Sequence, residues 1–307
     1  MTKFTGERAS FGRHETFPLR YSWLTKGFHS LLEDPKVFEA EDATVRLGVG
    51  KNMVSAIRYW LQATKLVEKR NRGFESTPVG LAVFDYDGYD PYLEDEATIW
   101  LVHWLLATNC DQATAWYWFF NCFHKPEFTG QEVSSALMEF TKRELKGRFA
   151  ATTVKNDAAI LLRMYVQSKG NTRTPLEDAL DSPLSMLKLI ETIPGTKTYQ
   201  SVLKPRDTLP IGIFGYAVAD LFHNTGASEI PIEELMYGKP GFPALGSVFR
   251  LTESGLLTKL EQLVDLMPGK FELRETAGIH QLYQTDKTKG LDFLRYHYKR
   301  TARGIAA

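Results

Sequence analysis

One stretch constrains the fold more than any other: DATVRLGVGKNMVSAIRYWLQATKLVEKRNRGFESTPVGL, from Asp42 to Leu81. Ala43 to Leu47 form a short apolar-patterned segment, closed by Gly48 and Gly50. Beyond them Met53, Val54, Ile57, Trp60 and Leu61 recur at the three-and-four spacing of one helix face. Lys51, Ser55, Arg58, Gln62 and Lys65 fall on the opposite face. Two β-type runs follow, Leu66–Lys69 and Phe74–Thr77, joined by the turn-forming Arg70-Asn71-Arg72-Gly73. Thr77 suits an N-cap, with Pro78 at the first helical position. Helix, tight turn, polar-faced helix, basic hairpin and helix is the order of a winged helix-turn-helix.

Charge agrees with that order. Between Asp42 and Arg72 seven Lys or Arg stand against two acids, Asp42 and Glu68. Cations on the helix face and at the hairpin tip would follow two phosphate tracks once the helix entered a major groove. Lys51, Asn52, Ser55, Arg58, Lys69, Arg70 and Arg72 are therefore the expected DNA-contacting residues; a solvated helix face and hairpin is the alternative. LGVGKN is not a phosphate loop. That motif needs glycine where Val45 stands and Ser or Thr where Asn52 stands.

Upstream, Pro18 suits a helix start, and Trp23, Leu24, Phe28, Leu31 and Leu32 form a stripe that stops at Asp34-Pro35. The stretches FGRHETFPLRYSWLTKGF and LGVGKNMVSAIRYWLQATKL closely resemble the SspB-type proteins, once a family of unknown function, encoded beside phosphorothioation genes in bacteria. The resemblance is specific over roughly the first eighty residues. It implies a role in single-stranded DNA phosphorothioation, where such proteins are associated with nicking. It also implies partners: a cysteine desulfurase, an ATPase and a pyrophosphatase resembling PAPS reductases. A divalent metal such as magnesium follows if the chain nicks DNA, and a homodimer is compatible with the reading. The resemblance supplies no catalytic motif.

The 307 residues suggest three domains: 1–88 winged helix, 89–205 aromatic-rich and helical, 206–307 winged-helix-like with a basic tail. The fold class expected is mainly α with small β-hairpin wings. Trp100, Trp104, Trp116, Trp118, Phe119 and Phe120 could stack bases, but no cationic groove accompanies them, so a core or subunit interface is favoured. Thr129 and Glu132 form a capping box for a helix to about Lys146; another helix spans about Lys155 to Gln167, before the breaker-rich Ser168–Pro175. In the last third, helices are expected at Tyr216–His223, Ile232–Tyr237 and Thr252–Leu266, then a hairpin turning near Thr276–Gly278. Arg295, Lys299, Arg300 and Arg303 make the tail basic. From Leu81 to His124, by contrast, there are seven acids and no Lys or Arg.

For chemistry, His14 and Glu15 form a polar pair between aromatic residues and beside Arg13 and Arg20. They are the catalytic candidates, against a structural reading in which Glu15 pairs with an arginine and His14 packs. A metalloprotease motif fails because Pro18 holds the second histidine's place. Asp34-Pro35-Lys36 and Glu144-Leu145-Lys146 carry the carboxylate-x-Lys element of nucleases, and Glu15 with Asp34 and Lys36 is a conceivable site. Cys110 and Cys122 lack zinc or disulfide spacing and are expected as buried thiols of a cytoplasmic protein. No secretion signal and no bilayer-spanning run are visible. A DNA-nicking component, a non-catalytic winged-helix regulator or targeting adaptor, and a protein-binding assembly adaptor all stay open.

Overall fold

The computed structural model describes residues 3–70, 73–167, 182–276 and 279–305. They divide into two compact units. The N-terminal unit comprises Thr5–Phe119 and Lys125–Val202; the C-terminal unit comprises Met1–Phe4, Phe120–His124 and Leu203–Ala307.

In the N-terminal unit, α1 (Trp23–Glu33) buries Trp23, Leu24, Phe28 and Leu31, the expected stripe, while Leu32 is half-buried. Its start differs from expectation. Pro18 lies before the helix, because the backbone turns first at His14–Phe17 and then at Arg20, whose carbonyl receives the Trp23 N–H. α1 ends at Asp34, ahead of Pro35, whose ring disfavours a helical conformation at the residue before it. α2 (Ala43–Leu47) closes on Gly48 at φ +60°, a left-handed conformation that costs glycine little. After that turn α3 (Lys51–Ala63) buries Val54, Ile57, Trp60 and Leu61. α1 and α3 approach closely at Gly27, where an added Cβ would meet Ile57 Cγ2 at 2.4 Å.

α3 stops at Lys65, whose φ is +54°. β1 (Val67–Arg70) and β2 (Gly73–Ser76) then form an antiparallel hairpin in the register Glu68↔Glu75 and Lys69↔Phe74. Thr77 caps α4 (Pro78–Phe84) as expected, its Oγ1 accepting the Gly80 N–H at 3.1 Å. α5 (Glu96–Ala107) is buried from Ala97 to Ala107, so it is a core helix rather than an amphipathic one. α6 (Thr114–Cys122) follows. Trp100, Trp104, Trp116, Trp118 and Phe119 are at most 4% exposed, which makes them core and not a base-stacking surface.

The middle of the chain is less purely helical than its composition suggests. β3 (Glu127–Thr129), β4 (Glu191–Thr192) and β5 (Thr198–Gln200) form an antiparallel sheet in the order β3-β5-β4. Between these strands lie α7 (Gly130–Glu144), opened by the Thr129–Glu132 capping box, and α8 (Ala151–Tyr165). The breaker-rich Ser168–Pro175 lies outside the described residues.

In the C-terminal unit, α9 (Ile211–Thr225) precedes β6 (Glu229–Pro231), α10 (Ile232–Tyr237), α11 (Leu245–Phe249) and α12 (Glu253–Leu266). β7 (Phe271–Thr276) and β8 (Ile279–Gln284) make the expected hairpin, whose Ala277 and Gly278 lie outside the described residues. β8 is central, in the order β6-β8-β7. The basic tail is a helix, α13 (Gly290–Ile305), packed on α9, where a Cβ at Gly215 would meet Phe293 Cδ1 at 2.4 Å. Two arginines are buried here. Arg250 donates to the Phe123 carbonyl at 3.0 Å, and burial, with Arg206 nearby, lowers its pKa to about 10. Phe120, also buried, lies with its ring centroid 5.3 Å from the Arg250 guanidinium.

Candidate nucleic-acid interface

α3 begins without a side-chain cap at Gly50, so its first backbone N–H groups lie open beside exposed Lys51 and Asn52. One turn further on, Ser55 and Arg58 are half-buried along the same helix face. The Arg58 guanidinium sits 5.8 Å from the centroid of Phe74 in β2. Side chains alternate across a strand pair, so Lys69, directly opposite Phe74, shares that hairpin face. Arg58 and Lys69 thus flank Phe74 where α3 meets the hairpin, and Lys51 lies two turns earlier on the same face of α3.

The other hairpin face is different. Glu68 and Glu75 stand opposite one another, an arrangement unfavourable by itself. Arg70 relieves it, with Nη2 2.8 Å from Glu68 and Nε 3.8 Å from Glu75. Arg70 is therefore committed within the hairpin, and Arg72 lies outside the described residues. Lys65, expected on the polar helix face, instead follows the helix end, where its Nζ donates to Thr108 Oγ1 at 2.7 Å. Arg46 pairs with Asp34 at 2.6 Å.

His14 and Glu15 part company. Glu15 is exposed at φ +51°; His14 is fully buried. The Thr16 N–H donates to Nδ1 at 3.1 Å, which leaves Nε2 as the proton-bearing nitrogen, and Nε2 donates to Asp157 Oδ1 at 3.0 Å. The Gly12 N–H reaches the same oxygen at 2.9 Å. Asp157 Oδ2 is buried without a hydrogen-bond partner among the described residues. The imidazole stacks on Trp60 of α3, with Trp116 and Tyr59 edge-on, each ring centroid 5.9 Å away. This pair supports α3 from beneath. Val154, Asp157, Ala158 and Leu161 share one face of α8, so Asp157's apolar neighbours were a readable sign of a buried carboxylate.

The nuclease-like elements are otherwise engaged. Asp34 accepts from Arg46 and from the Lys36 N–H, Glu144 accepts from Arg143, and Lys146 pairs with Glu7. Among the described residues, no three His, Cys, Asp or Glu side chains group to hold a metal ion. Cys110 is buried, and burial with Asp111 alongside pushes its thiol up to about 12; Cys122, against expectation, is exposed at the end of α6. No described helix is long and apolar enough to cross a membrane.

The family described as "Protein of unknown function (DUF4007)" matches residues 11–298. Two solved structures are similar at 30% identity, covering 96% of this chain and 89% of theirs: a magnesium ion-bound SspB with TM-score 0.84 and an SspB with TM-score 0.85. No curated protein shows a significant match. On the strength of a family match over nearly its whole length and of that likeness to SspB, the chain belongs to the DUF4007 family of SspB-type proteins.

Proposed function

We propose that this chain is the DNA-binding component of a bacterial phosphorothioate modification system, with α1 to α4 and the β1–β2 hairpin acting as a winged helix-turn-helix. The observation that carries the proposal is that Arg58 of α3 and Lys69 of the hairpin flank Phe74, with Lys51, Asn52 and Ser55 on the preceding turns of α3. In this role α3 enters the major groove by its N-terminal turns. Lys51 and Lys69 meet phosphates, while Asn52 and Arg58 carry the side-chain types that pair with adenine and guanine edges. The likeness to SspB supplies the process, and the other phosphorothioation proteins are its partners in this reading.

Domains 1–88, 89–205 and 206–307 remain the functional division we favour. The C-terminal unit has the helix, strand and hairpin order of a second winged helix, yet α12 exposes Glu253, Glu261 and Asp265. Such a face repels phosphates, so DNA contact is assigned to the first module. Electrophoretic mobility shifts of the purified chain on duplex DNA test the reading. Affinity should fall linearly with salt on logarithmic axes; absent or salt-insensitive binding would overturn it.

DNA nicking is a second reading, favoured by the magnesium-bound state of one similar structure. Among the described residues, no three His, Cys, Asp or Glu side chains gather to hold that ion. His14 and Glu15 could share a reaction only if His14 left its buried pair with Asp157. Relaxation of supercoiled plasmid by nuclease-free protein, with and without magnesium, decides between targeting alone and nicking.

A further inference from the structure

Residues 85–96 read DYDGYDPYLEDE, with tyrosines at 86, 89 and 92 among six acids. Part of this density is structural. Asp90 is buried and accepts from the Glu94 N–H at 2.8 Å, the Asp95 N–H at 3.1 Å and Thr98 Oγ1 at 2.5 Å. Asp95 caps α5 through the Ala97 N–H, and Tyr21 donates to the Leu93 carbonyl at 2.6 Å. The loop is thereby fastened at both edges.

What it presents outward is not needed for that fastening. Tyr86 and Tyr92 are 52% and 60% exposed. His29 of α1 stands between them, stacked on Tyr86 at 4.4 Å and perpendicular to Tyr92 at 5.9 Å. The Tyr86 hydroxyl donates to Glu33 at 2.8 Å, and Asp87, Glu94 and Glu96 are exposed. That hydrogen bond to Glu33 raises the Tyr86 pKa, with burial and then Glu33, Tyr92 and Asp85 adding to it. Neither Lys nor Arg occurs anywhere from Leu81 to His124.

Aromatic faces held rigid among carboxylates suit a planar cation. A guanidinium stacks on tyrosine and pairs with carboxylates in two directions, whereas an ammonium is a compact, more strongly hydrated charge. Phosphate backbones are repelled by the same charges. We propose that this surface, formed by His29, Glu33, Tyr86 and Tyr92, docks an arginine-bearing segment of a partner protein. It does not rest on the DNA reading.

The test uses the full-length chain and a fluorescein-labelled peptide with arginine at every third position and glycine elsewhere. Wild type should bind it in fluorescence anisotropy, and the lysine version should bind more weakly. The double variant Tyr86→Ala/Tyr92→Ala should lose about tenfold in affinity. Glu33→Gln should also weaken binding, while DNA affinity stays unchanged in all variants. Both rings are exposed, so the fold should survive their removal, as matched thermal melts would confirm. Equal binding of the two peptides, or of wild type and double variant, would overturn the proposal. So would self-association of the wild type that the double variant abolishes, since the occupant would then be a second copy.

Discussion

The guanidinium of Arg58 lies 5.8 Å from the centroid of Phe74, and through that contact α3 meets the hairpin face that also carries Lys69. Phe74 is in turn edge-on to Phe38. Phe74→Ala should therefore cost about 3–5 kcal/mol in stability. DNA affinity of the folded fraction should also fall, because the hairpin loses its seat beside Arg58. Urea denaturation and anisotropy on the same variant measure the two effects, and Phe74→Leu should restore most of both.

Glu68 and Glu75 hold Arg70 within the hairpin. Exposed pairs of this kind contribute about 0–1 kcal/mol, so Glu68→Gln/Glu75→Gln should hardly change the melting temperature. DNA affinity should rise, by up to about tenfold at low salt, with a steeper salt dependence. Arg70→Ala alone should have a small effect, since that cation is already spent on the two acids.

The buried pair of His14 with Asp157 gives a stability prediction. Asp157→Ala leaves the His14 Nε2 proton and the Gly12 N–H without their acceptor, and should cost about 1–3 kcal/mol for each donor left unpaired. The double variant with His14→Ala should lose less than the sum of the single losses, a coupling that a double-mutant cycle in urea reads directly. Additive losses would mean that the two side chains stabilise α3 separately.

Glu132 gives a pH prediction. Its hydrogen bond to Lys125, then those to the Thr129 backbone and side chain, lower its pKa from 4.5 to about 2. Between those values the unfolded chain holds more protons than the folded one, so stability rises with pH. The contribution is complete above 4.5 and is lost as pH falls through about 2. Glu132→Gln should therefore melt lower than wild type at neutral pH. That gap should close as the melts are taken down towards pH 2.

Local chemistry explains what was legible in the sequence. α3 follows from its apolar spacing, the hairpin from its turn residues, and α4 and α7 from the Thr77 and Thr129 caps. Features that depend on distant partners were not legible. Asp157 lies 143 positions from His14, and Glu75 opposes Glu68 only through the strand register. β3, β4 and β5 are two or three residues long, too short for any period to show. Pro18 misled because a proline that can open a helix can equally precede a turn.

The central claim is that Lys51, Arg58 and Lys69 form one DNA-facing surface. Its most direct test is the salt dependence of duplex binding by Lys51→Ala/Arg58→Ala/Lys69→Ala beside wild type, with matched thermal melts. Each phosphate neutralised contributes about 0.9 to the logarithmic salt slope, so losing the Lys51 and Lys69 contacts should shrink the slope by about two, with a large loss of affinity. A folded triple variant that binds duplex DNA with wild-type affinity and slope would contradict the account.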